Sequence, residues 1–175
     1  MTLARIVDGF LTYLSDIMAL ILRTGREEVF ELLDEKVPLN LVLQRLSVEE
    51  LLSQVAEVRI QRLSSAGWRN LSDEFRKNLG FPLFRDRTQN DLATLYIALR
   101  NAIVHNYGRA DEGFVCQVPN TFAAGFSSTI GEPIALDSDV VETAVESVAL
   151  WVRNIDLRAA DKFGQARSMA TLDRT

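Results

Sequence analysis

The chain has 175 residues, 47% of them hydrophobic and 25% charged, with 9 Gly and 4 Pro, a composition that suits one globular domain and excludes the disordered and fibrous classes. Its net charge of −5 and isoelectric point near 5.0 argue against binding nucleic acid by wholesale phosphate neutralisation. The one cysteine, Cys116, makes neither an internal disulfide nor a multi-thiolate zinc site, and no apolar run approaches the ~18 residues of a bilayer span, so a cytoplasmic setting without membrane contact is expected.

From Leu3 to Leu22 apolar residues recur at steps of three and four, which predicts a core-facing helix closed by Gly25. Glu27 to Lys36 follows as a second helix, ended by Pro38. The acidic pairs Glu27-Glu28 and Glu49-Glu50 sit at helix starts, where they complement the dipole. Ser47 with Glu50 has the pattern of a capping box, so a third helix runs to about Ser64. Ser72 is expected to cap a shorter helix, Gly80-Phe81-Pro82 to break the chain, and Thr88 with Asp91 to cap a strong helix from about Gln89 to Asn106. Beyond Gly108, the runs Phe114–Val118 and Pro133–Leu136 flank small and turn-forming residues, which predicts a short β-hairpin between the last two long helices. Ser138 caps a final helix with the stripe Val141, Val145, Val148, Val152 and Ile155, ending by Gly164. Residues 166–175 are expected to fray, leaving one domain over 1–165. Trp68 and Trp151 are expected to be buried. The fold class is mainly all-α.

Charge is unevenly spread along the chain. Between Arg59 and Arg109 there are nine basic and four acidic side chains, net +5, which leaves −10 for the remainder. Such a window suits either solvated helix faces or a local polyanion site. It contains the helix from Gln89 to Asn106. At about 100° per residue, Leu92, Leu95, Leu99 and Ile103 share one arc, the expected core face, and Thr94, Ala98, Asn101 and His105 lie opposite. Asn101 and His105 are one turn apart and share a side. The small residues Thr94 and Ala98 leave room there for a second backbone or a substrate, as a dimer seam would require. Arg100 stands about 140° from His105 around the axis, so it must reach round. His105 is the only histidine, and histidine exchanges protons readily near neutrality; a cation that favours the helix C-terminus is the other reason for one at this place. The sequence has no phosphate-binding glycine loop, nucleophile elbow or zinc-ligand spacing, so neither a cofactor nor a metal is expected.

The run Arg100-Asn101-Ala102-Ile103-Val104-His105-Asn106-Tyr107 resembles the Arg-x4–6-His motif of HEPN domains, in the form with a polar residue after the arginine and Val-His-Asn at the end. The resemblance extends to a helical array before the motif, a turn after it and a long final helix. It implies an up-and-down helical bundle of HEPN type that homodimerises with two motifs facing across a cleft. It also implies a metal-independent endoribonuclease, or an RNA-binding relative, in a toxin–antitoxin, stress or phage-defence setting. By that resemblance His105 would shuttle the proton of a ribose 2′-hydroxyl or leaving oxygen, Arg100 would hold the scissile phosphate, and Asn101 would orient substrate or His105. The product would be a 2′,3′-cyclic phosphate. Tyr107 extends the match to Arg-x4-His-x-Tyr, a variant in toxins paired with a nucleotidyltransferase antitoxin, where that tyrosine resembles the modified residue; a packing role beside a helix-ending glycine is the alternative, and Asn106 would support the site. The rival to an enzyme is a non-enzymatic dimeric interaction module that partners another protein such as a nucleotidyltransferase.

Overall fold

The computed structural model describes residues 2–24, 47–122, 125–126 and 129–163, the side chains of Arg23, Thr24 and Leu52 aside. Among these residues the elements are α1 (Thr2–Thr24), α2 (Val48–Ser65), α3 (Trp68–Asp73, continued by a π-helical turn Glu74–Asn78), α4 (Arg87–His105), α5 (Glu112–Gln117) and α6 (Ser138–Phe163). The expected helix Glu27–Lys36 with its Gly25 and Pro38 boundaries, and the chain from Gly164 onward, lie outside the described residues.

Helix α1 is the element on which the others assemble, because its apolar arc is unusually wide. Leu3, Val7, Phe10, Leu14, Met18 and Leu22 are buried, as are Leu11, Ile17 and Ile21 beside them, so one helix serves several neighbours at once. It packs against α2, α4 and α6. Both tryptophans are buried as expected. The Trp151 ring lies 5.5 Å from Phe10, 4.9 Å from Phe84 and 5.8 Å from Tyr96. Trp68 lies 5.4 Å from Phe84 and donates its indole N–H to Asn90 at 3.2 Å, which satisfies the one polar atom of a large apolar group.

The helix ends follow local hydrogen bonding. Ser47 and Glu50 form the capping box, with the Glu50 N–H donated to the Ser47 hydroxyl at 3.2 Å and the Ser47 N–H to the Glu50 carboxylate at 2.8 Å. These bonds hold the exposed Glu50 carboxyl below its ordinary pKa. Three expected caps are displaced. Asp86, not Thr88, caps α4, accepting the Thr88 N–H at 3.1 Å. Asp137, not Ser138, accepts the Val140 N–H at the start of α6, at 2.9 Å. Ser72 lies inside α3 with its hydroxyl on Asn90, and α3 begins instead after Gly67, whose φ of 99° only glycine adopts readily. The buried stripe of α6 runs through Ala144, Trp151, Ile155 and Ala159, and Val145 is exposed.

The expected β-hairpin does not form. Asp111 accepts the Phe114 N–H at 2.7 Å and starts α5, so the run Phe114–Val118 is helical over most of its length. No strand occurs among the described residues. Pro133 instead makes an isolated antiparallel bridge to Arg109, flanked by bonds from Ala110 N–H to Glu132 O and from Ile134 N–H to Gly108 O. The segment before α6 thus pairs with the turn that follows α4.

Several charges of the +5 window pair with one another, which fixes them without changing its net charge. Arg59 is buried against Glu74 at 2.7 Å. Arg76 and Lys77 hold Asp73 at 2.6 and 2.8 Å and keep its carboxyl below the usual range. Among the described residues no helix is long and apolar enough to cross a membrane.

Candidate functional site at the C-terminal end of α4

The last turns of α4 carry Arg100, Asn101 and His105, and a chain of hydrogen bonds ties the first two to α1 and α2. Arg100 donates through Nε to Asp8 Oδ1 at 2.7 Å and through Nη1 to Asn101 Oδ1 at 3.0 Å. Asn101 Nδ2 in turn donates to the Ser64 carbonyl at 3.4 Å, near the end of α2. A guanidinium held by a carboxylate and an amide is fixed in its plane, so Arg100 is set by its own chain. It still keeps donors on Nη2 that make no bond among the described residues.

Arg100 and His105 line one cleft of about 500 Å³ between α1, α2 and α4, together with Asp8, Asp16, Glu57 and Ser64. Arg100, about 140° from His105 around the axis, thus reaches round to the same cavity. His105 also lines a smaller crevice of about 180 Å³ with Asn101, Asn106, Asp111 and Gln117. It is exposed at the last residue of α4, and no described residue hydrogen-bonds its ring. Its imidazole forms part of the wall between two cavities.

The end of α4 is closed tightly behind it. Asn106 donates its backbone N–H to the Ala102 carbonyl at 2.9 Å, and Gly108 reaches the same carbonyl at 3.0 Å. The Asn106 side chain donates to Asp111, the residue that caps α5. Tyr107 takes a φ of 55°, uncommon for a residue with a side chain. It is 95% exposed, so the alternative of a packing role is not met among the described residues.

The open face expected beside Asn101 and His105 is filled by the chain itself. Ala98 is 2% exposed, and Thr94 is half-buried with its hydroxyl on the Asn90 carbonyl at 2.8 Å. The reason is α5, which packs on α4 and brings Phe114 and Gln117 over the crevice beside Ala98. The pair Leu92 and Ile103, assigned to the core face, is only partly buried, whereas Tyr96, Ile97 and Ala102 are buried; α4 is covered on more than one side.

Four site residues were not visible from the sequence: Asp8, Ser64, Asp111 and Gln117. Asp8 and Ser64 are 92 and 37 residues from their partners, and the only signal for Asp8 was an acidic side chain bordering the apolar arc of α1. Among the described residues no group of three or more His, Cys, Asp or Glu could hold a metal ion. No family model, curated protein sequence or solved structure matches the chain.

Proposed function

We propose that this chain is a metal-independent endoribonuclease of the HEPN type, acting as a cytoplasmic homodimer in a toxin–antitoxin, stress or phage-defence setting. The observation that supports this reading best is that Arg100 and His105 share one cleft, with Asn101 bonded to the arginine. In the proposed reaction His105 removes the proton of a ribose 2′-hydroxyl, the 2′-oxygen bonds to phosphorus, and the bond from phosphorus to the 5′-oxygen breaks. A proton returned from the imidazole to that oxygen completes the step, leaving 2′,3′-cyclic phosphate and 5′-hydroxyl ends. Arg100 stabilises the negative charge that builds on the phosphate oxygens, Asn101 orients the guanidinium, and Asn106 anchors the end of the motif helix through Asp111. Tyr107, exposed and at positive φ, is the residue accessible to a nucleotidyltransferase partner.

The test is cleavage of mixed RNA in EDTA by the full chain. We expect cyclic-phosphate ends from the wild type and a rate about 10²- to 10⁴-fold lower for His105→Ala. An unchanged rate in that variant, or activity that needs added metal, would refute the mechanism. One observation favours a second reading: Asp8, Asp16 and Glu57 outnumber the fixed cation Arg100 in the cleft, which suits a basic protein segment better than a phosphate. In that reading the chain is a non-enzymatic module, and neither wild type nor variant cuts RNA.

A further inference from the structure

Gln117 is a polar side chain that the fold leaves without a partner. Its Oε1 is buried and accepts no hydrogen bond, and no described residue accepts from its amide nitrogen. That oxygen is packed out of a ligand's reach, so the group open to one is the amide N–H, an orphan donor with no acceptor among the described residues. The amide lies close to Gly67, 3.1 Å from where a Cβ on that residue would sit. Gly67 has no Cβ, so the side chain has room to lie there.

Position gives this orphan its meaning. Gln117 ends α5 and lines both the crevice beside His105 and a larger cleft of about 790 Å³ next to it. His105 joins the same crevice to the cleft that holds Arg100. The cavities share walls in the order Arg100, His105, Gln117, and then the larger cleft. Arg69 and Arg87 line that last cleft. Arg69 is exposed and has no acidic partner among the described residues. The Arg87 side chain is 94% exposed and only 3.9 Å from Asp91. Asp73, a further acidic residue of this cleft, already carries Arg76 and Lys77.

A chain of cavities with a catalytic-type pair at one end, an unpartnered amide in the middle and two loosely held guanidiniums at the other fits a linear polyanion that carries bases. An amide N–H donates to the acceptor atoms of a base edge, and unstacked bases of single-stranded RNA present such edges. Guanidiniums suit phosphates. We infer that the RNA strand cut at His105 continues across Gln117, whose amide hydrogen-bonds a base, and into the larger cleft, where Arg69 and Arg87 hold the phosphates that follow. This rests on the ribonuclease reading above and assigns its substrate-strand track.

The experiment is fluorescence anisotropy with labelled single-stranded octaribonucleotides (A, C and U homopolymers and one mixed sequence), in EDTA and in the full-length His105→Ala background. Adding Arg69→Ala and Arg87→Ala together is expected to weaken binding about tenfold and to lower the slope of log K against log salt by about 1.4, as two lost phosphate contacts on a single strand require. Adding Gln117→Leu instead, which keeps volume, is expected to narrow the affinity differences among the homopolymers without changing the salt slope. Both variants have surface or partly exposed side chains, and helicity by circular dichroism checks that they fold. Affinity and slope unchanged in the double arginine variant, base preference unchanged in Gln117→Leu, or no binding of any octamer would each overturn the track. The readout is separable from catalysis: a wild type that binds as described and does not cut refutes the nuclease and keeps the track, whereas a wild type that cuts while the variants bind unchanged refutes the track alone.

Discussion

Tyr13 links α1 to α6 through one phenol. Its hydroxyl bonds Asp156 Oδ1 at 2.8 Å and lies 3.2 Å from the Val152 carbonyl oxygen. Burial first, and then the hydrogen bond and charge of Asp156, push its pKa far above the ordinary phenol value. The folded state therefore keeps this proton above pH about 10, where an unfolded tyrosine gives it up. With more protons bound to the folded than to the unfolded chain, stability falls as pH rises through that range. Tyr13→Phe is expected to cost about 1 kcal/mol at neutral pH and to remove this share of the alkaline loss, so the gap between variant and wild type narrows from pH 7 to pH 10.5. Urea midpoints at the two pH values measure it, and a constant gap would show that the phenol does not titrate as its surroundings require.

At the scale of elements, Asp111 is the joint between the motif helix and its cover. It accepts from the Asn106 side chain and from the Phe114 N–H, so it fixes the end of α4 and the start of α5 together. Asp111→Ala removes an N-cap worth about 1 kcal/mol and is expected to lower the melting temperature by about 2–4 °C for a chain of this size, with Asp111→Asn recovering most of the loss. Equal melting of Asp111→Ala and wild type in a thermal scan would mean that α5 is held by packing alone. This joint also explains what could and could not be read from the sequence. The capping box of Ser47 and Glu50 was legible because both partners lie within one turn, and the arc of α1 because ten or so apolar residues agree on one period. The run Phe114–Val118 is ambiguous in sequence because five apolar or neutral residues fit a strand or a helix equally, and the deciding group, the carboxylate of Asp111, lies just before it. Once α5 folds over α4, the face at Ala98 is closed, so whether one short segment is strand or helix decides whether that seam is open. The motif residues were found from their spacing, but the partners that fix Arg100 and Asn101 come from α1 and α2, and no local pattern names them.

The whole molecule depends on a charge pair as well as on its apolar core. Arg59 on α2 and Glu74 in the π-helical turn are both buried and 2.7 Å apart, and Asn78 donates to the other oxygen of Glu74 at 2.7 Å. Removing one member of such a pair strands the other, so Glu74→Ala is expected to cost about 3–5 kcal/mol, whereas Arg59→Met with Glu74→Leu should restore most of it. Chemical denaturation of the three proteins decides this; a double variant no more stable than the single one would show that the pair contributes more than its mutual neutralisation. The packing of α2, α4 and α6 on α1 has a further consequence, in time. Residues 13 and 156 leave a ribosome about 7–30 s apart at the usual rate of about 5–20 residues per second. Through that interval the wide apolar arc of α1 has only part of its cover, so the nascent chain carries a sticky first helix that a chaperone, or an early contact with α2, must shield until α6 is made.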